Sequence, residues 1–172
     1  MASNESELEL GPAHDDPQRA VTDESLHVVR GIRKAFLSIC RCGNILFSQH
    51  KITTDQYALM FAIQRSPGIC NADVAEQIYA EPHTVTAMIA LLERRGLLYR
   101  TPNPSDGRVR HLYLSDEAEL LMKQLASYWD GVGAVLLECL SRPEGPQALK
   151  FLEAVSSEMT RKREDLSRDC SE

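Results

Sequence analysis

The chain has 172 residues, 43% of them hydrophobic and only 6% aromatic, with a formal net charge of −6. That length fits one domain with a real core, and the scarcity of aromatics favours packed helices over a β-sandwich. No apolar run approaches the ~18 residues needed to cross a bilayer, and the first residues lack the basic start and apolar stretch of a signal peptide. The chain is therefore read as cytosolic, with no membrane partner.

The charge is segregated. Residues 1–26 hold seven of the 25 acids (Glu5, Glu7, Glu9, Asp15, Asp16, Asp23, Glu24) and one of the 19 bases, Arg19, which leaves 18 of each sign in residues 27–172. Residues 25–54 contain Arg30, Arg33, Lys34, Arg41 and Lys51 and no acid. Segregation of this kind steers a protein toward a polyanion more than its total charge repels one. The five cysteines, Cys40, Cys42, Cys70, Cys139 and Cys170, show no Cys-x-x-Cys pair. They are read as reduced thiols, and no metal or other cofactor is expected.

Residues 1–22, acidic and broken by Gly11, Pro12 and Pro17, are expected to form a disordered tail. Over residues 23–49, Leu26, Val29, Ile32, Phe36, Ile39 and Cys40 recur at helical intervals and predict a long first helix. Thr53 or Thr54 caps a second, which shows Tyr57, Met60, Phe61 and Gln64 along one side and stops at Ser66-Pro67-Gly68. Asn71 is expected to cap a short third helix with Val74, Ala75 and Ile78 inward. After the turn Tyr79-Ala80-Glu81 a fourth helix opens with Pro82 in its first position, where a missing N–H is harmless. Its apolar stripe is Val85, Met88, Ile89 and Leu92, and Gly96 ends it. Residues 97–101 and 109–114 read as two strands around a Pro/Asn/Ser/Asp/Gly turn cluster. Ser115 then caps a long helix with Asp116 and Glu117 favourable in its first turn. A near-heptad stripe runs along it through Ala118, Leu121, Leu125, Tyr128, Val132, Leu136 and Cys139. Gly131 and Gly133 within it each cost on the order of 1 kcal/mol relative to alanine and suggest a bend or close helix crossing. A break at Arg142-Pro143-Glu144-Gly145-Pro146 precedes a last helix carrying Leu149, Leu152, Val155, Met159 and Leu166. The order is α-α-α-α-β-β-α-α.

Two short helices joined by a tight turn and followed by a hairpin make the winged form of the helix-turn-helix, whose second helix enters the major groove of DNA. A fourth helix that buries Val85, Met88, Ile89 and Leu92 must turn His83, Thr84, Thr86, Ala87 and Ala90 outward. Small side chains and hydroxyls there let the backbone approach phosphates and base edges. Arg108 and Arg110 flank the hairpin tip, where a guanidinium suits a narrow minor groove. Nothing pairs a nucleophile with a base or builds a phosphate loop, so no enzyme is expected.

The string Asp73-Val74-Ala75, Ile78, Thr84-Val85-Thr86, Leu92-Glu93-Arg94-Arg95-Gly96-Leu97-Leu98, Arg100 and Pro104-Ser105-Asp106-Gly107-Arg108, then Leu114-Ser115, resembles the MarR family of transcription regulators. The resemblance covers residues 25–168 in element order, with the specific motif near residues 74–115. It implies a mainly α winged helix-turn-helix lobe over residues 52–114 and dimerisation helices at 23–50 and 115–170. It further implies a homodimeric repressor of a palindromic double-stranded operator, released by a small-molecule effector or an oxidant. Carried onto this chain, Thr84 and Thr86 match recognition-helix contacts, Arg108 the wing-tip arginine and Asp106 the carboxylate that braces the wing. Cys40 occupies the first helix, through which some members sense hydroperoxides. The chain departs from the pattern at Ala87 and near Ala90-Leu91, where members often carry bases, and at Ser115 and Ala118. Two other readings follow: a protein-interaction module using the apolar Ala87, Ala90 and Leu91 surface, and a cysteine-based redox regulator. The aromatics and histidines Tyr57, His27, His50, Tyr128 and Trp129 could line a ligand cavity, although single residues of these types on helical faces are more often core.

Overall fold

A computed structural model describes the backbone of residues 17–102 and 110–169, and the side chains from residue 23 onward in those spans. The elements run α1 (Pro17–Phe47), α2 (Thr54–Arg65), α3 (Asn71–Gln77), α4 (Pro82–Arg94), β1 (Leu98–Pro102), β2 (Arg110–Leu114), α5 (Asp116–Leu140) and α6 (Gly145–Asp169). A single 3-10 turn, Ser48–His50, links α1 to α2. The class is mainly helical with one two-stranded antiparallel sheet, and the element order is the one the sequence predicts. The chain divides into two compact units at residue 40, and residues 41–172 hold the winged lobe with α5 and α6.

Several boundaries differ from expectation. Helix α1 begins at Pro17 rather than at residue 23, so residues 17–22, expected in a disordered tail, are helical; proline is tolerated there because the first helical N–H has no intrahelical partner. Thr53, not Thr54, caps α2: its hydroxyl accepts from the Gln56 N–H, and the Gln56 side chain accepts from the Thr53 N–H. Two orphan donors are satisfied reciprocally, so Thr53→Ala is expected to cost about 1 kcal/mol. A urea titration reads that as a lower midpoint at unchanged slope. The cap of α3 is Cys70, whose carbonyl accepts from the Val74 N–H. Asn71, the expected cap, is instead the first helical residue, and its buried Oδ1 has no partner. Strand β1 starts at Leu98 rather than Leu97, because the Leu97 N–H is still bonded to the Leu92 carbonyl.

The core of the lobe gathers Phe47, Leu59, Met60, Ile63, Val74, Val85, Ile89, Leu92, Leu112 and Leu125, all fully buried. Helix α2 packs against α3, α5 and β2 together. It therefore buries Leu59, Ala62 and Ile63 as well as the expected Tyr57 and Met60, while Phe61 stays exposed. Phe47, Tyr57 and Trp129 form a ring cluster with centroids 5.0–5.9 Å apart. Tyr57 and Trp129 thus serve the core. Burial, with a smaller contribution from the negative charge of Asp130, pushes the Tyr57 phenol up from its ordinary pKa.

Gly96 closes α4 with φ of +71°, a left-handed conformation that glycine adopts without a Cβ penalty. Gly145, expected inside the break, begins α6 instead; a Cβ there would stand 2.1 Å from the Leu140 carbonyl oxygen, so only glycine lets the chain turn so tightly. Along α5 the stripe is buried at Ala118, Met122, Leu125 and Val132, whereas Val135, Leu136, Leu137 and Leu140 are exposed. Leu149, Leu152, Met159 and Leu166 on α6 are exposed too, as are Leu26, Val29 and Phe36 on α1.

Candidate nucleic-acid interface

Helix α4 is held by one side. Val85, Ile89 and Leu92 are wholly buried and Met88 packs against the same core. That orientation leaves His83, Thr84, Thr86 and Ala87 exposed, with Ala90 half-buried and Leu91 at the margin. Pro82 occupies the first turn, so the unpaired N–H groups of His83 and Thr84 stand beside these side chains at the positive end of the helix. The Thr86 hydroxyl donates to the Pro82 carbonyl at 2.9 Å, which leaves only its lone pairs for an outside partner. Thr84 and His83 keep their full polar capacity.

The wing is an antiparallel pair in register Leu98↔Leu114 through Pro102↔Arg110. Arg110 is exposed at the distal end of β2. Arg108 and the brace Asp106 lie outside the described residues. The base of the wing is tied down in ways the sequence did not announce. The Gly68 N–H donates to the Leu112 carbonyl, and the Leu112 N–H to the Ile69 carbonyl, so the turn after α2 lies beside β2 like a short third strand. The His111 ring nitrogen Nδ1 contacts the Gly68 carbonyl. Tyr99 and Tyr113 stack across the strands with centroids 5.4 Å apart. Arg100 on β1 makes a bidentate ion pair with Glu93 of α4: its Nε donates to Oε1 at 2.7 Å and a terminal N–H to Oε2. That hydrogen-bonded carboxylate raises the guanidinium pKa, against an opposing effect of burial. Arg95, the C-terminal cap residue of α4, donates to the carbonyls of His50 and Lys51 at 2.9 and 2.7 Å.

These anchors were illegible because each joins residues far apart in the chain or across a corner. The Glu93–Arg100 pair alone had a sequence signal, opposite charges seven residues apart around a helix-to-strand turn. Cys40 is a half-buried thiol on α1. Among the described residues no helix is long and apolar enough to cross a membrane.

The family model of the MarR family matches residues 52–109, the span from the start of the lobe into the wing. The transcriptional regulator HosA of Escherichia coli O111:H- is 32% identical over 123 residues, covering 66% of this chain and 89% of that protein. This chain belongs to the MarR family. As a MarR-family chain it is a transcriptional regulator and not an enzyme. Among solved structures, the PcaV regulator of Streptomyces coelicolor, in complex with its natural ligand, matches at TM-score 0.62 and 25% identity, over 76% of this chain and 90% of that one. The S. aureus MepR–DNA complex has the same fold, at TM-score 0.70 and 22% identity, covering 76% of this chain and 96% of that one.

Proposed function

We propose that this MarR-family regulator binds a palindromic double-stranded operator as a homodimer. In this reading α4 enters the major groove with His83, Thr84, Thr86 and Ala87, and the wing reaches the backbone and minor groove with Arg108 and Arg110, Asp106 bracing its tip. The observation that carries the reading is the one-sided burial of α4: its apolar stripe is sealed in the lobe, and the side that remains at His83, Thr84, Thr86 and Ala87 is small or hydroxylated, with no acid in the first turn. The MepR structure, solved with DNA, supports the same use of the fold.

The exposed leucines and valines on the second half of α5 and on α6, with those on α1, supply the apolar surface of a dimer. Two-fold symmetry then sets half-sites one helical turn apart, roughly 34–36 Å. Repression, relieved by a small effector, is the regulatory mode; the PcaV structure, solved with its ligand, supports an effector-responsive fold.

A gel-shift titration against the DNA upstream of its own gene, at two salt concentrations, tests the reading. A salt-dependent shift at the dimer's stoichiometry is expected, and its absence would point to the protein-interaction use of Ala87, Ala90 and Leu91 instead. Arg108→Ala and Arg110→Ala should each weaken binding and lower the slope of log K against log salt by about one unit per subunit, one counterion-releasing contact being lost. An unchanged slope in both variants removes the wing from the interface.

A further inference from the structure

The ion pair between Glu93 and Arg100 differs in kind from the other ion pairs among the described residues. Those, Arg142–Glu138, Arg161–Glu158 and Arg168–Asp165, are exposed and join neighbours three or four residues apart. The Glu93–Arg100 pair spans two elements, from the last turn of α4 to the middle of β1, and each side chain is only 29% exposed. Both guanidinium contacts meet one carboxylate, a planar fork that fixes direction as well as distance. The remaining polar anchors of the wing base, at Gly68, Ile69 and His111, tie β2 to the turn after α2 and do not touch α4. Between α4 and β1 the chain turns through Gly96, whose φ is left-handed and whose surroundings are open; just beyond it the Leu97 N–H bonds back to the Leu92 carbonyl, and Leu97 and Leu98 are buried in the core. These contacts seat the start of β1, and the bidentate pair is, among the described residues, the side-chain ion pair that joins α4 to the strand beyond the corner.

We infer that Glu93 and Arg100 are positioning residues that fix the wing relative to the recognition helix, so that α4 and Arg110 engage one duplex in a single register. This rests on the DNA-binding reading above. A carboxylate beside a polyanion is electrostatically unfavourable for DNA binding, so Glu93 acts through geometry and against its own charge. Neutralising it therefore has opposite effects on two quantities. Binding to random DNA, which needs only cations, stays the same or tightens; binding to a preferred sequence, which needs α4 and the wing in register, weakens.

The test uses the full-length chain and a duplex that the wild-type protein selects from a random-sequence pool, with poly(dI-dC) as the non-specific competitor. Glu93→Gln and Arg100→Met are each expected to lower affinity for the selected duplex about tenfold, within the range measured for coupled contacting residues, while the affinity of Glu93→Gln for the competitor does not fall. Glu93→Gln combined with Arg110→Ala should lose less than the product of the two single effects, because a misplaced wing has little left to lose. The swapped double variant, Glu93→Arg with Arg100→Glu, should recover most of the loss, and circular-dichroism melts report whether each variant is folded. Unchanged or tighter selected-duplex binding by Glu93→Gln overturns the inference. So does a loss that tracks a lowered Tm, falls equally on both DNAs and is not recovered by the swap, which marks the pair as a fold support only. If the wild-type chain selects no duplex at all, it is the DNA-binding reading that fails.

Discussion

Phe47→Ala is expected to destabilise the winged lobe by about 3–5 kcal/mol, a large part of the 5–15 kcal/mol that holds a typical domain together. The ring is completely buried, with its centroid 5.0 Å from that of Tyr57 and 5.9 Å from that of Trp129. It ends α1, and the Ile52 N–H reaches back to its carbonyl, so it seats the last turn of that helix against α2 and α5. Alanine there removes the apolar transfer energy and leaves a cavity walled by two rigid rings that cannot collapse into it. At fixed protomer concentration the urea midpoint should fall by roughly 1.5–2.5 M for a slope near 2 kcal/mol per M. The chain has a single tryptophan, Trp129, which lines the site and reports the transition by its fluorescence. A midpoint moved by less than a quarter of that would show that the ring is not packed as described.

Thr84→Glu separates fold from function by moving them differently. Thr84 is exposed in the first turn of α4, a turn that carries no acid. A carboxylate there meets the positive end of the helix, worth about 0.3–1 kcal/mol, partly offset by the neighbouring Glu81. Folding stability should therefore not fall. In the proposed complex the same carboxylate faces the phosphates in both half-sites. Loss of a favourable contact, about 1–3 kcal/mol for a good base contact, counted twice by symmetry, predicts at least about 30-fold weaker DNA binding. Thr84→Gln, of the same size without the charge, isolates the electrostatic part: the gap between the two variants should narrow as salt rises. Equal affinities for Thr84→Glu and wild type would take α4 out of the groove.

The recognition helix could be read from the chain because every signal for it is local. Pro82 and Gly96 punctuate its ends, and Val85, Ile89 and Leu92 repeat at the helical period without a defect. One buried stripe fixes the opposite face, so His83, Thr84, Thr86 and Ala87 fall outward, as the structure has them. Helix α2 was only half legible. A periodic stripe assumes one buried side, and α2 lies between α5, α3 and β2, so Leu59 and Ile63 are buried as deeply as Met60. The cap of α3 was misplaced by one residue because side-chain preference favours asparagine, whereas the helix there starts on the Cys70 carbonyl with no side-chain cap bond. Thr86 was correctly placed on the surface, but its hydroxyl donor is spent on the helix backbone, which no pattern of exposure reveals.

By itself the sequence determined the family, the order of elements and which side of α4 meets solvent, since these depend on residue preferences and spacings within a turn or two of chain. The tertiary structure decided how the wing is mounted: His111 against Gly68, the Gly68–Ile69 turn along β2, and Arg100 across the glycine corner to Glu93. Such contacts form between groups 7 to 44 residues apart. Apart from the Glu93–Arg100 pair, whose opposite charges straddle one turn, their partners are set by where packed helices bring the backbone, and spacing along a chain carries no record of that three-dimensional closure.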